Sequence, residues 1–356
     1  MSPVVREEPS AWGARLRAAA AAGELSDLPF VQQPAWAASK ALTGWESVRL
    51  VAQDGAAWAG AQFLLQRLPA GLGRIAYAPR GPIVLAAHAE QAASLRAELL
   101  RGLSELRRDG VTLVRLEPGE STPLPEEADQ VNPADALSEI LRAPWFAAAV
   151  ASRITLHRAR PVQPSTSRRI DLSAGMEIVR ATWRSKWRQY ARHATESGVT
   201  VRSAGADGAE ALHTAMSSIA GRTGVKTRSS AAFAHIVTTF NGEAEILIAD
   251  SPAGEILGAL LVITTPTTTT ELFGGATGAG NELRAPYALK VTAMERAVAR
   301  GSATYDMWGI STPGIAHFKA GWGGAPVVYP GALDVDLDPI RGPLVRLALR
   351  LRGFGA

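Results

Sequence analysis

Val48–Pro69 reads VRLVAQDGAAWAGAQFLLQRLP, and Ile246–Pro266 reads ILIADSPAGEILGALLVITTP. Each is an apolar strand, a turn rich in Asp, Gly, Ser or Pro, and a second strand that begins through Gly-Ala, at Gly60-Ala61 and Gly258-Ala259. Aliphatic runs broken by such turn residues predict β-hairpins. The text after each hairpin corresponds too. The first copy predicts a strand at Arg74–Ala78, a helix from about His88 to Arg108 and a strand at Val111–Leu116. The second predicts a strand at Glu271–Gly275, a helix from about Pro286 to Arg300 and a strand at Thr304–Trp308. Both helices are amphipathic and stop at a glycine, Gly110 or Gly301, as helix C-termini often do.

The fold class is therefore α/β, with one mixed-sheet lobe flanked by helices and present twice. Hairpin, strand, helix, strand is the order of acyltransferase lobes of the GNAT type. Residues 1–155 are expected to form the first lobe and 156–335 the second. The C-terminal 336–356 is expected to be a helix that packs back on lobe one. Between them, Pro118–Pro164 reads as irregular, with two short helical stretches at best. Met176–Ser197 reads as one basic helix, and Val327–Val335 as a strand.

Composition removes several classes of function. With 47% apolar and 20% charged residues, the chain is neither a disordered tail nor a channel. Its apolar runs, such as Trp145–Ala151, fall far short of the ~20 residues that span a bilayer. Glu7, Glu8 and Pro9 stand where a secretory leader needs an apolar core, so none is expected. Cys is absent, which removes disulfides, thiolate zinc sites and cysteine nucleophiles and fits a reducing, cytoplasmic compartment. The six histidines form no H-E-x-x-H, and no metal site is expected. There is no P-loop and no G-x-S-x-G elbow. The net charge of +4 is mild, so any argument for an anionic partner rests on where the basic residues lie.

They gather between Arg153 and Arg202. At helical spacing Arg184, Arg188 and Arg192 share a face, Lys186 lies nearby, and Trp183 and Trp187 lie on a neighbouring face. Such a surface suits phosphates held by charge and bases held by stacking; a solvated helix is the plainer reading. The other dense stretch is Tyr305–Gly331, YDMWGISTPGIAHFKAGWGGAPVVYPG. Asp306 ends a strand, and Phe318-Lys319 sit in a Gly/Pro-punctuated loop where a lysine could face a phosphate or a developing oxyanion. Coenzyme A would need a glycine-rich turn before the helix of a lobe. Asn281–Pro286 and Leu85–His88 hold none, which counts against that cofactor.

Tyr305-Asp306-Met307-Trp308-Gly309-Ile310, then Phe318-Lys319-Ala320-Gly321-Trp322-Gly323-Gly324, then Tyr329-Pro330-Gly331 resemble the C-terminal signature of Fem-type (FemABX) aminoacyl-tRNA-dependent peptidoglycan bridge transferases. Tyr77-Ala78-Pro79-Arg80-Gly81-Pro82 resembles that family's Y-x-P-R-G-P. Lys186–Val199 resembles its basic helix, and Gln32, Pro34, Trp36 and Lys40 match a pattern near its start. The resemblance runs from about Phe30 to the C-terminus. It implies two GNAT-like lobes, no cofactor, and transfer of glycine, alanine or serine from aminoacyl-tRNA to the side-chain amine of a stem peptide. The acceptor would be lipid II or a UDP-linked muropeptide, with peripheral contact at the inner face of the membrane in the former case. A monomer is expected.

By residue match the family's roles fall on particular positions. Lys319 and Phe318 take the catalytic loop. Lys40 and Arg222 take the precursor's diphosphate, with Trp36 and Arg80 beside them. Glu117 stands where relatives tend to have Asp. Lys186, Arg188 and Arg192 would face the tRNA or the precursor's phosphates. Asp306 or Glu117, or the tRNA's own ribose hydroxyl, would take the amine proton, although Asp306 could equally cap a turn. Some relatives carry a helical coiled-coil arm, for which Val201–Leu212 leaves no room. Two other readings stand beside this one: a GNAT-like acyltransferase using an acyl thioester on another amine, and a non-catalytic RNA- or phosphate-binding module.

Overall fold

The computed structural model describes residues 4–125, 131–223, 227–310 and 312–352, with side chains left aside at 131–133, 219–223 and 352. The chain divides into two compact units. The first is Met1–Leu25, Val31–Thr166 and Pro326–Ala356; the second is Ser26–Phe30 and Ser167–Ala325.

The first unit begins with β1 (Val5–Arg6), α1 (Pro9–Ala21) and α2 (Pro34–Ala41), then the hairpin β2 (Glu46–Asp54) and β3 (Ala57–Arg67). Asp54 pairs with Ala57, so the turn is only Gly55-Ala56, and Gly55 has the left-handed φ of +60° that tight hairpins need. Gly60 is therefore in mid-strand rather than at its start. A Cβ there would lie 2.9 Å from the Leu50 carbonyl oxygen and 3.1 Å from the Trp12 ring, so the glycine admits close packing. β4 (Arg74–Ala78), β5 (Ile83–Leu85), α3 (Ala89–Gly102) and β6 (Val111–Leu116) follow. Leu95, Leu99 and Leu100 of α3 are buried with Leu103 and Leu106 of its 3-10 continuation. At about 1.5–3 kcal/mol per buried leucine, this face secures the helix on the sheet. Gly110, at φ +75°, ends it.

The expected irregular stretch holds one long helix rather than two short ones. After β7 (Thr122–Pro123), α4 (Val131–Ser152) runs for 22 residues and buries Trp145, Ala148 and Ala149. Pro144 lies inside it at an exposed position. β8 (His157–Ala159) completes this part.

The second unit holds β9 (Thr166–Asp171), α5 (Gly175–Thr182), α6 (Ser185–Glu196), β10 (Thr200–Ser203), α7 (Ala209–Thr223) and α8 (Ser230–Phe240). The repeated hairpin β11 (Ala244–Asp250) and β12 (Ile256–Thr264) comes next, then β13 (Thr268–Ala276), α9 (Gly278–Glu282), α10 (Ala285–Ala299), β14 (Thr304–Asp306) and α11 (Pro313–Ala320). Gly258, like Gly60, is in mid-strand, with the Gly275 carbonyl 2.8 Å from where its Cβ would be. The basic helix is two helices. Trp183 and Arg184 are extended between α5 and α6, held by the Arg184 N–H on the Gly321 carbonyl at 2.9 Å.

The chain then forms β15 (Ala325–Val328), β16 (Ala332–Asp336) and α12 (Arg341–Arg352). The expected single strand is split at Tyr329-Pro330-Gly331, and β16 belongs to the first unit's sheet rather than to the second lobe. There it pairs antiparallel with β6 (Leu333 opposite Leu116) and with β8 (Ala332 opposite Ala159). The first sheet is ordered β1-β2-β3-β4-β6-β16-β8, with β4 and β6 parallel and β5 beside β3. The second runs β10-β11-β12-β13-β14-β9, with β13 and β14 parallel. Both are therefore mixed sheets in which a meander leads through a helical connection to a parallel strand. Val345 of α12, with Leu349 beside it, packs on Ile75 and Leu113.

Candidate active site

In the second unit, β13 and β14 pair over three residues only, Thr268–Thr270 with Thr304–Asp306. β13 runs on to Ala276 while β14 stops. The carboxyl ends of parallel strands are where open α/β sheets hold ligands, and Asp306, Phe318 and Lys319 gather there.

Asp306 shapes the turn after β14. One carboxylate oxygen accepts the Ser167 hydroxyl and the Trp308 N–H (2.7 Å); the other accepts Arg169 Nε at 3.1 Å. Trp308 then takes a left-handed φ of +53°. The carbonyls of Met307, Trp308 and Gly309 converge on Lys319 Nζ at 2.5, 2.6 and 2.7 Å. Lys319 and Phe318 are in the last turn of α11 rather than in a loop. Thr312 caps that helix by accepting the Ile315 N–H, and Pro313 opens it. Burial pulls the Lys319 ammonium down from 10.5 to about 8; Lys290 pushes the same way, and Glu271 and Asp306 oppose it.

Around this lysine is a buried set that sequence reasoning missed. Lys290 of α10 is ion-paired with Glu271 of β13, and the Tyr305 hydroxyl donates to the same carboxylate at 3.1 Å. Burial, reinforced by Glu271, raises the Tyr305 hydroxyl well above its usual pKa. A signal existed: Lys290 falls four residues before Met294 on the buried face of α10, where an unpaired lysine would not survive. Aromatic rings wall the site. The Phe318 ring meets Tyr287 at 5.4 Å and Trp322 at 6.1 Å, and its carbonyl accepts Trp187 Nε1 at 3.0 Å. Gly321 is needed here, since a Cβ would sit 2.2 Å from the Trp187 ring. Gly324 combines φ +69° with a would-be Cβ 2.2 Å from the Arg169 carbonyl oxygen. Gly324→Ala is expected to lose on the order of 1–3 kcal/mol from backbone strain alone, read as a lower thermal midpoint.

The basic residues do not act as one face. Arg184 is at the start of α6 and meets His317 Nδ1 at 3.2 Å. Arg188 reaches back to cap α5, donating to the carbonyls of Ala181 (3.3 Å) and Trp183. Arg192 is exposed and lines a groove of about 400 Å³ with Arg180, Arg188 and Trp183. Lys186 does not line it; its ammonium lies 5.5 Å from the Tyr190 ring. Trp187, expected as a stacking surface, is buried.

In the first unit, Lys40 Nζ lies 4.3 Å from the ring centroid of Trp36, one turn earlier on α2. Glu117 is buried. It accepts the Tyr77 hydroxyl at 2.6 Å and the N–H groups of Val162 and Gln163, the latter at 3.0 Å. Burial nonetheless raises its pKa. Arg80, also buried, stacks 3.3 Å over the Tyr329 ring and donates to the Pro164 carbonyl at 2.8 Å. The Arg222 side chain lies outside the described residues. Before α10, the connection begins earlier than its glycine-free end suggests, since it includes Gly278 and Gly280. Helix α9 fills it, and the Gly280 N–H is taken by the Thr277 hydroxyl at 3.0 Å.

A model of the FemAB family matches residues 23–257 and 250–349. In fold, the chain is similar to the crystal structure of FemX, with TM-score 0.78 at 15% identity over 97% of this chain and 99% of that one. It is also similar to a tandem GNAT protein from the clavulanic acid biosynthesis pathway, with TM-score 0.55 at 14% identity over 94% and 98%. The comparison with curated proteins gave no match.

Proposed function

Since this chain belongs to the FemAB family, we propose that it builds peptidoglycan cross-bridges by moving an amino acid from aminoacyl-tRNA to the side-chain amine of a precursor's stem peptide. Glycine, alanine and serine are the candidate residues, and lipid II or a UDP-linked muropeptide is the acceptor. The observation that carries the reading is the Lys319 ammonium, held by three carbonyls at the open end of the β13–β14 pair and walled by aromatic rings.

An aminoacyl ester is already activated, so orientation and charge stabilisation supply the catalysis. The neutral amine attacks the ester carbonyl carbon. The resulting oxyanion forms within the field of Lys319, whose position the three carbonyls fix beforehand. The intermediate then collapses, the bond to the ribose oxygen breaks and the amide forms. The amine proton passes to the departing ribose through its neighbouring hydroxyl. Glu117 and Asp306 suit that task poorly, because their oxygens already accept Tyr77, Val162, Gln163, Ser167, Arg169 and Trp308. Asp306 acts instead by holding the turn after β14, whereas Glu117 and Arg80 hold segments of the first unit together. Phe318 forms part of the wall for the aminoacyl end. In the first unit Lys40 is the candidate holder of the precursor's diphosphate, steadied by Trp36. Arg192 and Lys186 attract the tRNA backbone, and Arg188 holds the α5–α6 corner from which they project.

The donor separates this reading from thioester chemistry. Transfer from charged tRNA should vanish when the tRNA is digested with ribonuclease beforehand, and acyl-coenzyme A should not replace it. Transfer from the thioester, with none from tRNA, would overturn the reading.

A further inference from the structure

We propose that α12 docks the first unit on a bilayer surface bearing anionic lipid headgroups. The helix has two apolar faces. One, with Val345 and Leu349, is packed on the sheet. The other is the stripe Leu344, Leu347 and Leu351 on one side of the helix, extended by Ile340 in the turn just before it. Ile340, Leu344, Leu347 and Leu351 are 73%, 52%, 54% and 78% exposed. Three leucines in register on one helix face, with Ile340 at its start, are a patch, unlike scattered surface leucines.

The charge around the stripe selects its occupant. From Arg341 to Ala356 the sequence has four arginines, Arg341, Arg346, Arg350 and Arg352, and no acid. Arg341 and Arg346 are ion-paired with Asp338 and Asp336, which precede the helix. Among the described residues Arg350 has no acidic partner. It lines a shallow surface cavity of about 410 Å³ with Arg158, His157, Phe146 and Leu156. Arginines beside an apolar stripe fit an interface in which leucines reach the acyl boundary and guanidinium groups meet headgroup phosphates. A nucleic acid would satisfy the arginines but leave the leucines wet. A second copy would bring arginines against arginines. The proposal stands apart from the transferase reading, since it concerns where the chain resides and not what it transfers.

Co-sedimentation of the full chain with vesicles tests it. Binding to mixed phosphatidylcholine–phosphatidylglycerol vesicles is expected, weakening with salt and on pure phosphatidylcholine. The variant Leu344→Ser/Leu347→Ser should bind about tenfold or more weakly, from lost apolar burial, with an unchanged circular dichroism spectrum because both residues are exposed. Arg350→Glu should also weaken it. Absence of binding to the anionic vesicles, or undiminished binding by the double-serine variant, would overturn the proposal. So would a wild-type dimer in sedimentation velocity that the same variant dissolves, since the stripe would then be a self-association surface.

Discussion

Lys319→Ala should lower the rate of transfer by about 10²–10³, the cost of losing one preorganised charge at a developing oxyanion, while the chain remains folded. The substitution also releases the carbonyls of Met307, Trp308 and Gly309 that the ammonium gathers. Arginine should not rescue it, because a planar guanidinium cannot direct three N–H bonds to three carbonyls around a single nitrogen. The pH dependence follows from the same geometry. With the ammonium held near 8, its protonated form is lost as pH rises through about 8, while the acceptor amine goes on losing its own proton toward the ordinary lysine value of about 10.4, so transfer by the wild-type chain should rise with pH and level off above about 8. Stability rises over the same range. Between about 8 and the ordinary lysine value of 10.5, the unfolded chain keeps a proton that the folded chain has released, so this group adds stability as pH rises. A levelling of activity above pH 8 with no fall in the thermal midpoint would therefore report the lysine and not unfolding. Activity that went on rising about tenfold per pH unit above 8 would contradict the role given to it.

Asp334→Ala should cost about 3–5 kcal/mol of stability, the largest stability effect expected of a single substitution here. Asp334 lies on β16 and meets Arg115 of β6 in a bidentate pair, at 2.8 and 2.9 Å. The two side chains are 0% and 3% exposed. Removing the carboxylate takes the bidentate counter-charge away from a guanidinium buried between strands. Replacing both partners, as Arg115→Met/Asp334→Leu, should recover most of the loss, because two apolar side chains need no pairing. Urea unfolding of the two variants reads the difference. A single variant as stable as the wild type would mean that β16 does not sit between β6 and β8.

Both hairpins and their following helices were legible because their signals are local. Apolar runs, turn residues and the C-terminal glycines Gly110 and Gly301 lie within a few residues of what they specify. What escaped depends on distant partners. The break between α5 and α6 is set by Gly321, more than a hundred residues downstream, whose carbonyl takes the Arg184 N–H. The membership of β16 in the first sheet was hidden for the same reason, since its neighbours β6 and β8 precede it by far. Helix α4 was obscured by Pro144, which reads as a breaker until its exposed position is known. In α11 the signal was present and overlooked, for Thr312-Pro313 is an N-cap followed by a first-turn proline. At the candidate site, the sequence singled out Lys319, Phe318 and Asp306, and the structure brings these three together at the end of β14. The Glu271–Lys290–Tyr305 set that surrounds Lys319 needed coordinates, because its members come from three elements of the second unit.

The most direct test of the transferase reading is to supply purified protein with glycyl-, alanyl- and seryl-tRNA carrying labelled amino acids, together with lipid II and with UDP-linked muropeptide, and to locate any new amide by tandem mass spectrometry. The account predicts that one of these amino acids appears on the side-chain amine of the stem peptide. Failure of every donor and acceptor combination, with a folded protein that instead acylates an amine from a coenzyme A thioester, would contradict it.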